Sequence, residues 1–186
     1  MVEETKTGQV PSALPGTQQE KPSLFGAGMP RISAIIEHPD FQKALKANKQ
    51  AEENRPFCRH DWEHSLAVAR IAYILWLEKG GTKDRKEEIY AAALLHDIGR
   101  FQQYKDKNVD HAHASVALAK PILMACGFDA TERNRICTAM ALHRQNKEGD
   151  LFCEVLYYGD KLSRTCFTCA AIVQCNWRKK NEMLVY

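Results

Sequence analysis

The chain of 186 residues has no apolar run approaching the ~20 residues that a membrane-spanning helix needs. It also has no stretch in which apolar and polar residues alternate over a useful strand length, and no internal repeat. Net charge is small: 26 basic residues against 23 acidic ones leave +3. The local basic cluster, Arg178-Lys179-Lys180, reads as a solvated end. These absences exclude a membrane span, an all-β fold and a charge-driven nucleic-acid binder. The opening Met-Val-Glu-Glu-Thr-Lys has no apolar core behind a basic start, so a secretory leader is not expected. The seven cysteines are odd in number and, without an export signal, read as reduced thiols or metal ligands rather than a disulfide framework. A cytoplasmic location is expected.

The length suits one domain with a proper core. Residues 1–30 hold Gly8, Pro11, Pro15, Gly16, Pro22, Gly26, Gly28 and Pro30 among Ser, Thr, Gln and Glu, a composition that predicts a flexible tail. The domain is expected over 31–177, with a short C-terminal end at 178–186. Two helical pieces are expected between Arg31 and Asn54, divided at His38-Pro39, where His38 reads as a turn residue. Further helices are expected over Asp61 to Glu78 (stopped by Gly80-Gly81), Thr82 to Asp97 with a cap at Thr82 or Asp84, Asp110 to Cys126, Ala130 or Thr131 to Arg144 with Thr131 available as cap, and from Asp150 past Arg164. A polar loop is expected over Gln102 to Val109. The fold class is therefore all-α, a bundle of six or seven helices.

The chain converges on Ala91-Ala-Ala-Leu-Leu-His-Asp-Ile-Gly-Arg100. An apolar helical run ends in two metal-binding side chains, His96 and Asp97, followed by Gly99 where a helix normally stops. A buried, unpaired carboxylate and imidazole cost several kcal/mol unless a partner offsets them, and a divalent cation is the simplest partner. An isolated His-Asp dipeptide more often pairs with an arginine or lies at an exposed helix end. Other polar residues in apolar registers shift that balance. His64 shares a stripe with Val68, Ile71 and Leu75, and His96 follows Ala92 and Ile89. His113 precedes Val116 and Ala117, His143 follows Met140, Ala139 and Ile136, and Asp160 follows Leu156 and Cys153. Five helices each turning a ligand-type group inward point to a metal site, and imidazole with carboxylate suits Fe, Mn, Zn or similar ions.

His64-Ser-Leu-Ala-Val-Ala-Arg-Ile-Ala, then Leu94-Leu-His-Asp-Ile-Gly-Arg, then Tyr158-Gly-Asp-Lys-Leu resemble, in order, the His … His-Asp … Asp pattern of the HD-domain superfamily of metal-dependent phosphohydrolases. The resemblance covers about Pro56 to Arg164. It implies that His64, His96, Asp97 and Asp160 bind metal. His113 and His143 resemble the two extra histidines of two-metal members such as diadenosine polyphosphate hydrolases, with His111 competing for the place given to His113. One or two divalent ions are then expected, with His64, His96 and Asp160 on the first, His113 and His143 on the second, and Asp97 able to bridge them and central to catalysis. Paired ions can share a hydroxide and hold both attacking and leaving oxygens of an in-line displacement. The expected substrate is a small phosphate ester or anhydride, a nucleotide or dinucleotide, with Arg100 and Lys161 neutralising phosphate and Arg144 and Arg164 as weaker candidates. A non-catalytic nucleotide-binding or metal- or redox-sensing module is the alternative. The oligomeric state is not legible.

A rival motif overlaps the first segment. His60-Asp-Trp-Glu-His64 reads as H-x-x-E-H, a zinc-peptidase signature with Glu63 as base, but it leaves Leu94 to Arg100 and Asp160 unexplained. Cys166, Cys169 and Cys175 form a C-x2-C-x5-C pattern beyond Asp160, and Cys58 precedes His64. If His64 and Asp160 meet, these thiols become neighbours able to hold a structural zinc or an iron–sulfur cluster. Four reduced, partly buried thiols are the plainer reading. Cys126, Cys137 and Cys153 read as small core residues. Trp62, Phe101, Tyr104, Tyr157 and Tyr158 are candidates to stack on a base.

Overall fold

The computed structural model describes residues 28–144 and 149–176. The tail expected at the N-terminus therefore lies, up to residue 27, outside the described residues, as does the end from 177 onward. Pro30 opens α1 (Pro30–Glu37) and Pro39 opens α2 (Pro39–Ala51), each at the turn where a missing N–H costs nothing. Then follow α3 (Trp62–Glu78), α4 (Lys86–Leu95), α5 (Arg100–Lys105), α6 (His111–Ala125), α7 (Ala130–Leu142) and α8 (Leu151–Leu162). Among the described residues there is no strand, and no helix is long and apolar enough to cross a membrane. The fold is all-α.

Among the described residues, aspartates set four of the eight α-helix starts. Asp61, Asp110, Asp129 and Asp150 each accept hydrogen bonds from backbone N–H groups of the following first turn, satisfying donors that have no partner within the helix. Asp129 and Glu132 complete a reciprocal capping box, so Asp129, not Thr131, caps α7. Thr82 makes no side-chain cap. Lys83–Arg85 form a 3-10 turn before α4. Part of the stretch expected as a polar loop is helical: α5 carries the chain to Lys105.

The central element is α4. From Glu88 to Gly99 every residue except Tyr90 is buried, because α3, α7, α6 and α8 all pack on it. Ile89, Leu94 and Leu95 join Val68, Ile122, Leu123, Ile136, Met140 and Phe152 in one core. Gly159 lets α8 lie close along α3: a Cβ there would stand 3.0 Å from the Val68 carbonyl oxygen and from Ala72 Cβ. The next residue, Asp160, is thereby carried against the face that bears His64. The end of the most buried helix, the start of α3 and the end of α8 consequently meet at one place.

Candidate metal centre

His96 caps α4 and Asp97 follows it, so both leave the apolar helix pointing into the bundle. His64 arrives from α3, His111 from α6, His143 from the C-cap of α7 and Asp160 from α8. They form two buried sets. One potential ligand atom from each of His64, His96 and Asp160 lies within 4.8 Å of the others, and the same holds for Asp97, His111 and His143. Asp97 joins the sets through its two oxygens. Oδ2 lies 3.2 Å from His96 Nε2, while Oδ1 lies 3.3 Å from His111 Nε2 and 3.8 Å from His143 Nε2.

The hydrogen bonds on the far sides of the rings fix which nitrogen faces the centre. His96 Nδ1 lies 2.7 Å from the Ala93 carbonyl and His143 Nδ1 lies 2.6 Å from the Met140 carbonyl. A carbonyl only accepts, so Nδ1 carries the proton in both. The Ser163 hydroxyl donates to the Asp160 carbonyl at 2.8 Å and so accepts from His64 Nδ1 at 3.3 Å. His111 Nε2 lies 3.0 Å from the Arg100 guanidinium, a group that only donates. In His64, His96 and His143 Nε2 is thus the nitrogen open to a proton or a cation, whereas in His111 Nδ1 faces Gln103 Oε1 at 3.0 Å and the Nε2 lone pair is taken by Arg100. His64 Nε2, His96 Nε2 and Asp97 Oδ1 are buried without a hydrogen-bond partner. Orienting a ligand imidazole through its other nitrogen is the usual arrangement at metal centres.

The electrostatics agree. Burial opposes ionisation of Asp97, but His96 above all, with His60 and His143, overrides it and holds the carboxyl well below its ordinary range. Burial likewise opposes ionisation of Asp160, and His64, Arg164 and Lys161 override it. Burial pushes His143 down, and pushes His111 down to about 4. His96 is the exception: burial lowers its proton affinity, yet Asp97 and Asp160 raise it further. Two ionised carboxylates therefore face His111 and His143, which burial holds neutral, and His96, whose proton a divalent cation would replace; imidazole with carboxylate is the donor set of such an ion.

Two backbone features hold the turn that carries Asp97. A Cβ on Gly99 would lie 2.5 Å from the Ser115 nitrogen and 2.6 Å from the Ala114 carbonyl carbon, and the Gly99 N–H donates to Ser115 Oγ at 2.9 Å. Gly99 is required by this close approach to α6 rather than by a left-handed helix end. Asn48, buried on α2, donates to the Asp97 carbonyl at 2.8 Å and accepts from the Phe101 N–H at 2.7 Å.

The sequence profile of the HD domain matches residues 61–174, more than half of the chain. The chain is an HD-domain protein. An uncharacterized protein of Clostridium beijerinckii (strain ATCC 51743 / NCIMB 8052) is 38% identical over 160 residues, which cover 85% of this HD-domain chain and 100% of that one. The crystal structure of a predicted HD superfamily hydrolase from an uncultured Thermotogales bacterium is similar with a TM-score of 0.52 at 26% identity. That match covers 68% of this chain and 70% of the other.

Within the HD domain, two residues proposed from sequence, His113 and Arg144, lie away from this centre. The His113 side chain is 80% exposed and lies 3.6 Å from Asp110 Oδ1 on the surface, and it is His111 that reaches Asp97 and His143. Two residues apart on a helix, the two side chains point roughly 200° apart. Arg144 also lies outside, exposed and paired with Asp110 at 3.3 Å. Arg100 stands at the centre, 3.8 Å from Asp97 Oδ1. Lys161 pairs with Asp160, and Arg164 approaches the same carboxylate at 3.1 Å.

The H-x-x-E-H arrangement does not form: His60 precedes α3, Asp61 caps that helix, and Glu63 is exposed. His60 instead donates from Nδ1 to buried Glu52 at 2.6 Å and turns Nε2 toward Asp97 Oδ2 at 3.7 Å. Glu52 was not legible as a site residue. Its carboxylate also accepts from the Tyr104 hydroxyl at 2.6 Å. Burial opposes its charge, but His60 and Tyr104 lower its pKa to about 2. Beside His60 opens a cleft of about 570 Å³ lined by Lys46, Lys49, Arg59, Trp62 and Glu63. Tyr104 is engaged by Glu52, and Tyr157 and Tyr158 pack on each other with ring centroids 5.2 Å apart. Trp62 is therefore the aromatic candidate on the cleft wall.

Proposed function

We propose that the protein is a metal-dependent phosphohydrolase that cleaves a phosphate ester or anhydride of a nucleotide or dinucleotide. In this reading His64, His96 and Asp160 hold one divalent ion, His111 and His143 hold a second, and Asp97 serves both. The observation that carries the reading is the set of buried, unpartnered ligand atoms, His64 Nε2, His96 Nε2 and Asp97 Oδ1, distributed over the two ligand sets. Such groups are costly to bury unless a cation completes them. Divalent ions there supply Lewis acidity and an activated water for phosphoryl chemistry.

The protein's own groups do the rest. The Ala93 and Met140 carbonyls and the Ser163 hydroxyl engage Nδ1 of three imidazoles and so turn their Nε2 atoms inward. Asp97 stays ionised through neutral pH and reaches both ligand sets. Arg100 meets the phosphate nearest the centre, since a guanidinium matches phosphate geometry. Lys46, Lys49 and Arg59 receive further phosphate charge in the adjoining cleft, with Trp62 against the base. A cleft of about 570 Å³ falls within the ~300–1,000 Å³ typical of small-ligand sites. The alternative of a sensing module predicts binding without turnover.

The test is metal analysis of anaerobically purified protein, then a phosphate-release screen over nucleotides and dinucleotides with manganese or iron. The expected result is turnover of at least one of these compounds, and loss of both metal and turnover in Asp97→Ala with helix content retained by circular dichroism. Unchanged hydrolysis in Asp97→Ala, or no turnover by the metal-replete protein, overturns the proposal.

A further inference from the structure

The segment after α8 is ordered in short turns with very little core of its own. Cys166–Thr168 and Ile172–Gln174 are single 3-10 turns. Between Ser163 and Asn176 just Cys166 and Ala171 are buried, while Phe167 is 58% and Val173 is 82% exposed. Ordering a residue costs about 1–2 kcal/mol of backbone entropy, and so little apolar burial does not offset that over this length. Chains that cannot build a core commonly use a metal or a cross-link instead.

The turns place cysteines where such a metal would bind. The Cys169 N–H donates to the Cys166 carbonyl at 3.2 Å, the Ile172 N–H to the Cys169 carbonyl at 3.2 Å, and the Cys175 N–H to the Ile172 carbonyl at 3.3 Å. Each of the three cysteines thus sits at a bend. Cys58, distant in sequence, shares a cleft of about 470 Å³ with Cys169, Ser163, Arg164 and Thr168. Buried Cys166 lies close enough to Cys58, Cys169 and Cys175 for all three to act on its thiol electrostatically. All four cysteines are free thiols. Arg164 lies among them, interacting with the Cys58 thiol while its Nη2 reaches Asp160 at 3.1 Å. A guanidinium there offsets the excess negative charge of several thiolates on one metal. The remaining cysteines, Cys126, Cys137 and Cys153, lie on or beside helices within or against the core and belong to no such group.

We propose that Cys58, Cys166, Cys169 and Cys175 form a second, all-thiolate metal site that fastens the C-terminal turns to the loop before α3, binding either an iron–sulfur cluster or a single zinc ion. Among the described residues, the imidazole–carboxylate sets are the groups that close to within 4.8 Å, so the thiols are neighbours at a wider spacing. A polynuclear cluster accepts such a spacing, because it holds its cysteines at its corners, whereas one zinc ion draws four sulfurs together. The site stands independently of the reaction proposed for the HD centre.

The experiment uses the full chain purified anaerobically, as wild type, as Asp97→Ala to empty the HD centre, and as Asp97→Ala combined with Cys166→Ser and Cys169→Ser. Iron, zinc and acid-labile sulfide are measured in each, and thiols are titrated in Asp97→Ala before and after metal removal. The expected result is a metal that survives Asp97→Ala and disappears when the cysteines are replaced, with four of the seven thiols reacting only after metal removal. Iron with matching sulfide identifies a cluster, and zinc without sulfide a single ion. The titration needs no cysteine variant, so it decides even if that variant fails to fold. Seven thiols equally reactive before and after treatment, or an Asp97→Ala protein free of metal, overturns the proposal.

Discussion

Replacing Gly99 with alanine tests the account of the turn that carries Asp97. The added methyl would sit 2.5 Å from the Ser115 nitrogen and 2.6 Å from the Ala114 carbonyl carbon. Both are backbone atoms of α6, so no rotamer change relieves the clash. Overpacking of this kind costs about 1–3 kcal/mol, and separating the elements also weakens the Gly99 N–H bond to Ser115 Oγ, worth about 0.5–1.5 kcal/mol. Alanine restricts the unfolded chain and returns about 0.4–1 kcal/mol. The net cost is about 2 kcal/mol, a fall in Tm of about 4–8 °C for a chain of this size. Gly127→Ala is the control. Its φ is +81° but nothing lies within 4 Å of its Cβ position, so it loses only about 1 kcal/mol from the left-handed backbone. Thermal and urea unfolding in chelator measure both. A Gly99→Ala protein as stable as wild type, or less affected than Gly127→Ala, refutes the close-approach explanation.

Further outcomes follow from the same geometry. His111→Ala should lose metal and lower turnover by more than the ~10–100-fold typical of losing a ligand's supporting partner, whereas His113→Ala should leave both unchanged; metal titration with phosphate release measures this, and the reverse order would reassign the ligand. Glu52, with its carboxyl lowered from 4.5 to about 2, stabilises the fold above its unfolded value, and that contribution fades as pH falls from about 4.5 through about 2. The shift is worth roughly 3 kcal/mol at ~1.36 kcal/mol per unit, so unfolding in chelator should show wild type and Glu52→Gln converging in stability as pH drops from 6 to 3, and parallel curves would count against it. Lys46→Ala with Lys49→Ala should raise KM for a phosphorylated substrate with little change in kcat, read from initial rates at low salt; a fall in kcat alone would place these lysines outside the binding cleft.

Much of this arrangement was legible as helical register. Ile136, Ala139 and Met140 are buried before His143, and Cys153 and Leu156 before Asp160, so their periodicity pointed those ligand groups inward. The same test, carried farther along α6, separates its two histidines. His111, Ser115, Ala119 and Ile122 form a buried stripe, whereas His113, Ala117, Lys120 and Met124 are exposed. Lys120 on the second stripe was the available signal, and the local likeness of the segment around His113 obscured it. Asn48 and Glu52 carried no comparable signal. They lie on or just after a mostly polar helix, and their roles arise from partners such as Asp97, Phe101 and Tyr104, contacts set by tertiary packing. Gly99 read as a helix stop, but the demand on it comes from α6, which no local pattern reveals.

Asp97 directs Oδ2 to His96 and Oδ1 to His111 and His143. In the proposed centre this makes one carboxylate common to both sites, and two sites with a common ligand do not fill independently. An ion captured on the His96 side freezes the carboxylate rotor and leaves its other oxygen aimed at the vacant neighbour, while two cations held so close repel one another. The balance of these terms is a coupling free energy, and thermodynamic linkage requires each ion to alter the affinity of the other by the same factor. Loading curves for such a centre are therefore stepped or sigmoidal, and a variant that disturbs either half shifts the midpoint of both.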